Sequence, residues 1–584
     1  MANLANDFPS GEATILRSSI GQLYHLLGQF SDSHDRVLIA LLVLIEVAAL
    51  MLGAFLLCRR LGALPVWTAI GGAVLLASGT LASADLARWF HPVYANVYNF
   101  AYAAGFIAIA ATLDRRMVVA GLSIGLAATF HPAIALFFGL AAAAAVLTRL
   151  RQYSLAGLVG GAIAAAIVFG GWYLIAIRGA VISGGIDRQL FTDLTRLMGS
   201  HWFPVSLSVF GDRAWETLLP SVALLLAFVA SLRLRDAPSS ATDRQMLAAV
   251  VALMLVAAAG VVVSMVSTDP ALLKLAMHRA SLIALLLAGA LLVPRLLALA
   301  AEGPVLLAIV AGGLVLMPYW RSHGIPVAGA AIFAVGVLAF QRGTLARLDR
   351  AAISVALFAT AVIVLALAVA GHVGAVLTDT TAAIGIMRSS FFVLAVLALA
   401  VARLLRAPVV LAGAVAIGLW VWVPQADPMR PVEDRQRAQA FLDAQLWANR
   451  NTPPDRVFML DPTMRYGWRQ YSARPSFGVM REWLYSGWLY DTDPAVMAEG
   501  LRRARLLGLD LETYTEIART DVIRAYNLLM ADAARLFYGR DASALSAIAR
   551  DNGISYVLMD KAKIVSRPAL PVAFENEAFL ILVP

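Results

Sequence analysis

The chain has 584 residues, 60% of them hydrophobic and 14% charged, with a mean hydropathy of +0.77 and a formal charge of +9. Ordinary globular domains carry about 25% charged residues, so a soluble globular protein is excluded, and the high apolar content excludes a disordered or fibrous chain. A single cysteine, Cys58, excludes an internal disulfide framework and a multi-cysteine metal site.

Residues 1–36 contain Asp7, Glu12, Arg17, Asp32, Asp35 and Arg36 and no apolar run long enough for a signal peptide. From there to about residue 425 the chain is a series of apolar runs near the length that crosses about 30 Å of hydrocarbon. They fall at about 37–57, 64–84, 96–113, 117–130, 132–148, 154–177, 217–232, 245–266, 279–294, 303–318, 325–341, 351–371, 389–402 and 408–423. The expected fold is therefore mainly α, a polytopic transmembrane helical bundle of about 14 helices.

The stretch 117–148 is apolar throughout but is interrupted by His131-Pro132. Proline removes a backbone donor and disfavours helix just before it, so two spans joined by a turn compete with one long kinked helix. Charge decides between them. With a turn at His131, alternate loops carry Arg59/Arg60, Arg115/Arg116, Arg149/Arg151, Arg233/Arg235/Arg244, Arg295, Arg342/Arg347/Arg350 and Arg403/Arg406, all on one side. That side is expected to be cytoplasmic; merging the two spans would scatter the arginines across both faces.

These loops hold fifteen basic and five acidic residues, while residues 425–584 balance at twenty of each. The sequence pI near 9.8 is thus a topology signal, and nucleic acid is not an expected partner. The same parity puts residues 1–36, the 178–216 loop and everything after 425 outside. An N-terminus outside without a leader is unusual, so 1–36 is read as the first outer loop of a chain with an upstream helix, or as a short translocated tail. The expected domains are 1–36 as the outer segment, 37–424 as the transmembrane domain, and 425–584 as a soluble extracytoplasmic α/β domain.

In that last domain Glu433–Arg450 reads as an amphipathic helix stopped by Asn451-Thr-Pro-Pro454. Strands are expected at Arg456–Leu460, Ile554–Met559 and Phe579–Val583, and helices at about 495–508, 512–538 and 541–551.

Few ionisable residues lie within the spans. Glu46 is the clear one, a functional candidate or a hydrogen-bonded structural glutamate. At the outer edge Phe90-His91-Pro92 and Phe130-His131-Pro132 repeat one tripeptide, with Asp85, Arg88, Tyr94, Asn96, Tyr98 and Asn99 near the first and His201 in the long loop. Asp85, His91 and His131 facing one pocket supply a general base, or, if the histidines converge, ligands for a divalent cation. The bland alternative is histidines that cap turns. Lys274, His278, Arg279, Arg321, His323 and Arg388 fall at outer helix ends, where topology does not call for positive charge. Lys274, Arg279, Arg321 and Arg388 suit a lipid phosphate; as snorkelling anchors they would do nothing chemical. Tyr466–Pro475 and Arg481–Tyr490 are dense in aromatics and arginine, including Trp468, Arg474 and Trp483. They fit either a sugar or acceptor site or the packing interface of the outer domain.

Many helices, long outer loops and a C-terminal extracytoplasmic α/β domain resemble the GT-C superfamily of integral membrane glycosyltransferases. Trp447-Ala-Asn-Arg-Asn-Thr-Pro-Pro-Asp455, Val457-Phe-Met-Leu-Asp-Pro462, Tyr471-Ser-Ala-Arg474, Tyr556-Val-Leu-Met559 and Phe574-Glu-Asn-Glu-Ala-Phe579 carry the resemblance to bacterial members of that group. It implies transfer of a sugar from a polyprenyl-phosphate-linked donor to a glycan, lipid or protein acceptor on the outer face of the bacterial inner membrane. It also implies a carboxylate base in the first outer loop, for which Asp7 fits best, with Asp32 or Asp35 as substitutes. The competing expectations are a transporter or flippase for a lipid-linked or amphipathic solute, and a non-catalytic envelope scaffold.

Overall fold

The structure is a computed structural model. It describes residues 7–9, 19, 22–23, 35–62, 66–77, 97–177, 185–199, 202–204, 214–232, 241–302, 432–464, 467–489 and 491–584. The expected spans from 303 to 423 lie outside the described residues.

The first part of the chain forms α1 (Asp35–Gly62), α2 (Val66–Ala77), α3 (Val97–Leu113), α4 (Met117–Phe130), α5 (Pro132–Leu147) and α6 (Leu155–Trp172). It continues with α7 (Arg188–Met198), α8 (Ala214–Ser231), α9 (Ala241–Val266), α10 (Pro270–Leu275) and α11 (Ala280–Glu302). Among the described residues Leu41–Leu61, Leu155–Ile175, Ala241–Val266 and Pro270–Arg295 are long and apolar enough to cross a membrane. Leucine, isoleucine and valine side chains such as Leu44, Ile163, Leu255 and Val266 lie exposed on these helices. In water that exposure would be unfavourable by about 25 cal/mol per Å² of apolar surface; in a bilayer it is the expected lipid face. The protein is a multi-pass membrane protein.

The turn at His131 is real, and it reverses the chain. Its backbone is extended (φ −154°, ψ 101°), its N–H donates to Ala127 O at the end of α4, and Pro132 opens α5. Arg115 Nη2, before α4, donates to Gln152 Oε1, after α5, at 2.6 Å. The Tyr153 hydroxyl donates to Thr112 O at 2.9 Å. In a continuous helix 37 residues would span about 55 Å, so α4 and α5 run up and back. Their partner α6 follows α4 in parallel: Gly121 meets Gly161 backbone to backbone, and Gly125 meets Ala165. A side chain at Gly121 would collide with main chain.

The arginine-bearing turns gather at one end of the bundle. Arg60 pairs with Asp114, and its Nη2 donates to Leu113 O. Gln245 Nε2 donates to Tyr153 Oη at 2.8 Å and to Ala145 O at 3.2 Å. Arg295 binds Asp243 at 2.6 Å and Ser231 O at 3.1 Å. Among the described residues, four turns separated in sequence thus share one hydrogen-bonded layer with Arg295, which lies within α11 and not in the loop the sequence suggests.

The C-terminal part contains α12 (Val432–Asn451), β1 (Val457–Met459), α13 (Trp468–Ser472), α14 (Pro494–Leu506), α15 (Leu511–Thr520), α16 (Val522–Tyr538), α17 (Ala542–Asp551), β2 (Ile554–Asp560), β3 (Val572–Glu575) and β4 (Phe579–Leu582). The sheet order is β1-β2-β4-β3, with β1 parallel to β2 and the other pairs antiparallel. Alternation of side chains separates the two faces. Phe458, Leu558, Phe579 and Ile581 pack under α12, which presents Ala440, Ala444 and Ala448 four residues apart. Val457, Met459, Val557, Met559, Leu580 and Leu582 face the helices of the second core.

The helix expected over 512–538 is two. Asp521 leaves helical geometry (φ −142°, ψ 90°) and its side chain accepts from Arg524 N, so it ends α15 and caps α16. Strand β3 has no counterpart in the sequence reading, because it is a half-exposed edge of four residues with weak alternation.

The second core also includes Leu273 of α10 and Phe191, Leu194 and Leu197 of α7. The α/β layer therefore packs on the bundle at the end opposite the arginine turns, with α7 between them.

Candidate functional site at the end of the bundle beneath the sheet domain

The first turn of α3 presents three consecutive residues to three partners. Tyr98 packs on the His131 ring, with centroids 4.7 Å apart. Asn99 Nδ2 donates to Glu46 Oε1 of α1. Phe100 stacks on Phe130, the last residue of α4, at 5.1 Å. The repeated Phe-His-Pro motif is thus half explained: in its second copy the phenylalanine packs, the histidine caps and the proline starts a helix.

His131 Nδ1 accepts from Ile134 N at 3.3 Å. With that lone pair committed, the neutral ring carries its proton on Nε2, and what it offers outward is a hydrogen-bond donor. In this tautomer it is neither a free base nor a ready metal ligand. Of the two readings of this histidine in the sequence, the cap of a helix start is the one the geometry displays.

Arg279 lies close enough to act electrostatically on His131. It sits on a corner built by α10, the left-handed residue Ala276 (φ 44°) and the short turn Met277–Arg279 that leads into α11. Asp269 caps α10 through Ala271 N at 2.8 Å. Gly260 of α9 makes room for this corner, since a Cβ there would strike the backbone of Met277 and His278. Lys274, on α10, faces Asp491 of the α/β layer. Both cations are half-buried. A lysine, an arginine and an imidazole donor are therefore brought to one end of the bundle, beneath the sheet domain.

Asp7 lies elsewhere. Arg469 Nε donates to both Asp7 oxygens at 2.8 and 2.7 Å, its Nη1 donates to Glu482 Oε1 at 2.7 Å, and its Nη2 to Phe8 O at 3.0 Å. Ser476 N donates to Asp7 Oδ1 at 2.7 Å. Burial works against the Arg469 charge, but Glu482 and Asp7 outweigh it and hold the guanidinium proton more tightly than in an ordinary arginine. Phe8 is buried beneath the Arg503 guanidinium, 4.7 Å from its ring centroid. Both Asp7 oxygens are thus engaged by Arg469, and Oδ1 also by Ser476 N, which ties the carboxylate into the sheet domain.

The three residues expected to bind sugar are inside the sheet domain. Trp483 is 0% exposed and donates to Phe477 O at 2.8 Å, and Trp468 is 2% exposed against Phe458 and Phe441. Arg474, 6% exposed, donates to Thr452 O and Asn449 O at the end of α12, and so caps that helix. Neither tryptophan leaves a ring face for a sugar to stack on. The Arg481–Leu489 segment meets α7 instead, with Trp488 on Phe191 and Tyr485 on Trp202. Of the two sequence readings, packing is what the geometry displays.

Asp85, His91, Arg321 and Arg388 lie outside the described residues, as do the alternatives Asp32 and His201. Among the described residues no three His, Cys, Asp or Glu side chains gather as a metal-binding group. Sequence reasoning pairs neither Lys274 with Asp491 nor Asp7 with Arg469, since no local pattern links residues so far apart along the chain, 462 positions in the second case.

No protein-family model matches the chain, and no curated protein matches it. Solved structures similar to it include ArnT from Cupriavidus metallidurans bound to undecaprenyl phosphate, with 14% identity, 93% of this chain and 83% of that chain covered, and a TM-score of 0.42. The same protein in the apo state gives 13% identity, coverage of 93% and 82%, and a TM-score of 0.43.

Proposed function

We propose that the protein is a membrane glycosyltransferase that takes a sugar from a polyprenyl-phosphate-linked donor at the outer face of the inner membrane. The observation that carries this reading is the corner that holds Lys274 and Arg279, the arginine within electrostatic reach of His131, at the bundle end away from the arginine turns. A phosphate whose lipid tail lies in the bilayer meets cations there that the topology rule disfavours on that side. In this reading residues 425–584 form an extracytoplasmic domain over the site.

Lys274 and Arg279 hold the phosphate, and the Nε2–H of His131 donates to the oxygen that gains charge as the anomeric bond breaks. An outer carboxylate takes the proton of the attacking acceptor hydroxyl. Since Asp7 is engaged by Arg469, this reading assigns that role to Asp85, on the connection between α2 and α3. Arg321 and Arg388 remain further phosphate ligands of the proposal.

The test is a transfer assay in nanodiscs with a radiolabelled polyprenyl-phosphate sugar and outer-membrane glycolipids as acceptors. Label moving to an acceptor with release of polyprenyl phosphate is expected, and Lys274→Ala and Arg279→Ala should raise KM for the lipid donor. No transfer, together with movement of intact lipid-linked sugar across proteoliposome membranes, would replace this reading with that of a flippase.

A further inference from the structure

We infer that Glu46 and Asn99 are positioning residues that orient Tyr98 and thereby His131. The inference rests on the role proposed above for His131.

Successive residues of a helix point about 100° apart, so the first turn of α3 cannot rotate without breaking several contacts together. Asn99 is tied to Glu46 on α1, and both side chains are 1% exposed. With Asn99 held toward α1, Tyr98 is turned to the His131 ring and Phe100 to Phe130. Val97 opens this helix, so these residues sit in its first turn, where backbone N–H groups have no partner within the helix. The polar pair supplies the lateral restraint that a helix end lacks. His131 is fixed below by its cap to Ile134 N, and Tyr98 is the ring contact that limits its tilt. A buried carboxyl within a hydrocarbon-spanning helix is unfavourable without a partner. Asn99 provides one, which makes the pair specific to one rotation of α3.

Glu46→Gln keeps an acceptor oxygen, whereas Glu46→Leu removes it. Two readouts separate this inference from the proposed reaction. The first is carbethoxylation of His131 by diethyl pyrocarbonate in nanodiscs, followed by peptide mass spectrometry. The rate should rise several-fold in E46L and stay near wild type in E46Q. The second is sugar transfer, where E46L should lower kcat by about tenfold to a hundredfold, as misplacing a reacting group does, with KM little changed and activity restored in E46Q. Should E46L fail to fold, Asn99→Ala deletes the donor with less change in packing and carries the same test. Equal losses in E46Q and E46L would overturn the inference, because the carboxyl proton rather than the hydrogen bond would then matter. An unchanged His131 rate in E46L and N99A would overturn it too. A changed rate in a protein that transfers no sugar would leave the positioning intact and remove the proposed reaction.

Discussion

Arg469 lies between Asp7 and Glu482 and binds both, so a residue from the start of the chain is held inside the C-terminal α/β layer. Asp7 also accepts from Ser476 N, and Phe8 N donates to Ser476 O at 3.0 Å. Ser19, twelve residues on, contacts the Thr129 hydroxyl at the tip of α4 at 2.9 Å. The early segment therefore touches both the sheet domain and the hairpin tip next to His131.

This ion pair is largely buried, so removing one partner leaves the other charge uncompensated. Such truncations cost about 3–5 kcal/mol. Arg469→Gln should destabilise the domain by that order, and Asp7→Asn by less, since Glu482 still neutralises the arginine. Chemical denaturation of the detergent-solubilised protein followed by tryptophan fluorescence measures both. A D7N variant of unchanged stability that abolishes sugar transfer would point instead to Asp7 as the base.

Glu499 gives a pH dependence. Its hydrogen bonds to Arg502, with Arg503 adding to them against the effect of burial, bring its carboxyl down to about 2. A carboxyl depressed from an unfolded value near 4.5 contributes stability that is fully present above about pH 4.5 and is lost as pH falls toward 2. The side chain is about a third exposed, so solvent screening keeps the contribution small. The melting temperature of wild type should fall more steeply than that of Glu499→Gln between pH 4.5 and 3. Parallel curves would show the pair contributes nothing.

How far the sequence could be read follows from the range of the interactions. The hairpin at His131 was legible because proline and the arginine alternation act locally and add up along the chain. Helices α12, α14 and α17 are legible from apolar period, and the structure adds the aspartates that cap the last two, Asp493 and Asp541. The break at Asp521 was missed because an apolar helical period runs across it, although the aspartate cap is there to see. Trp468 and Trp483 have the composition of a sugar platform, but burial is a property of tertiary packing, and composition does not separate a stacked tryptophan from a core one. Arg474 was ambiguous for a related reason: a guanidinium suits a hydroxyl or a helix C-terminus equally well until the carbonyls of Asn449 and Thr452 are placed beside it.

Tyr538 joins the carboxyl ends of the two parallel strands. Its hydroxyl donates to Asp461 Oδ2 at 3.0 Å and accepts from Asp560 N at 2.9 Å. Lys563 Nζ binds the same Asp461 oxygen at 2.7 Å, and Arg437 pairs with Asp560. Burial, and then the Asp461 charge, push the Tyr538 hydroxyl far above the usual tyrosine range, so it stays protonated and donating. Tyr538→Phe would leave the buried Asp560 N–H without its acceptor, at about 1–3 kcal/mol. Denaturation should show that loss, and a near-neutral result would mean that water replaces the hydroxyl.

The orientation of the bundle is tested by thiol labelling. Wild type carries one cysteine, buried in the helix bundle, and its Cys58→Ser variant is a cysteine-free background. Single cysteines replacing Arg116 and Arg151 sit on the turns joined by Arg115–Gln152, whereas Val565 is 95% exposed on the sheet domain at the other end. In intact spheroplasts a membrane-impermeant maleimide should label V565C at once and R116C and R151C only after lysis. Labelling of R116C and R151C together from outside, with V565C protected, would invert the protein and put the proposed site on the cytoplasmic face. Labelling of R116C and R151C from opposite sides would contradict the hairpin itself, since the return of α5 to the level of Arg115 requires both turns to share one face.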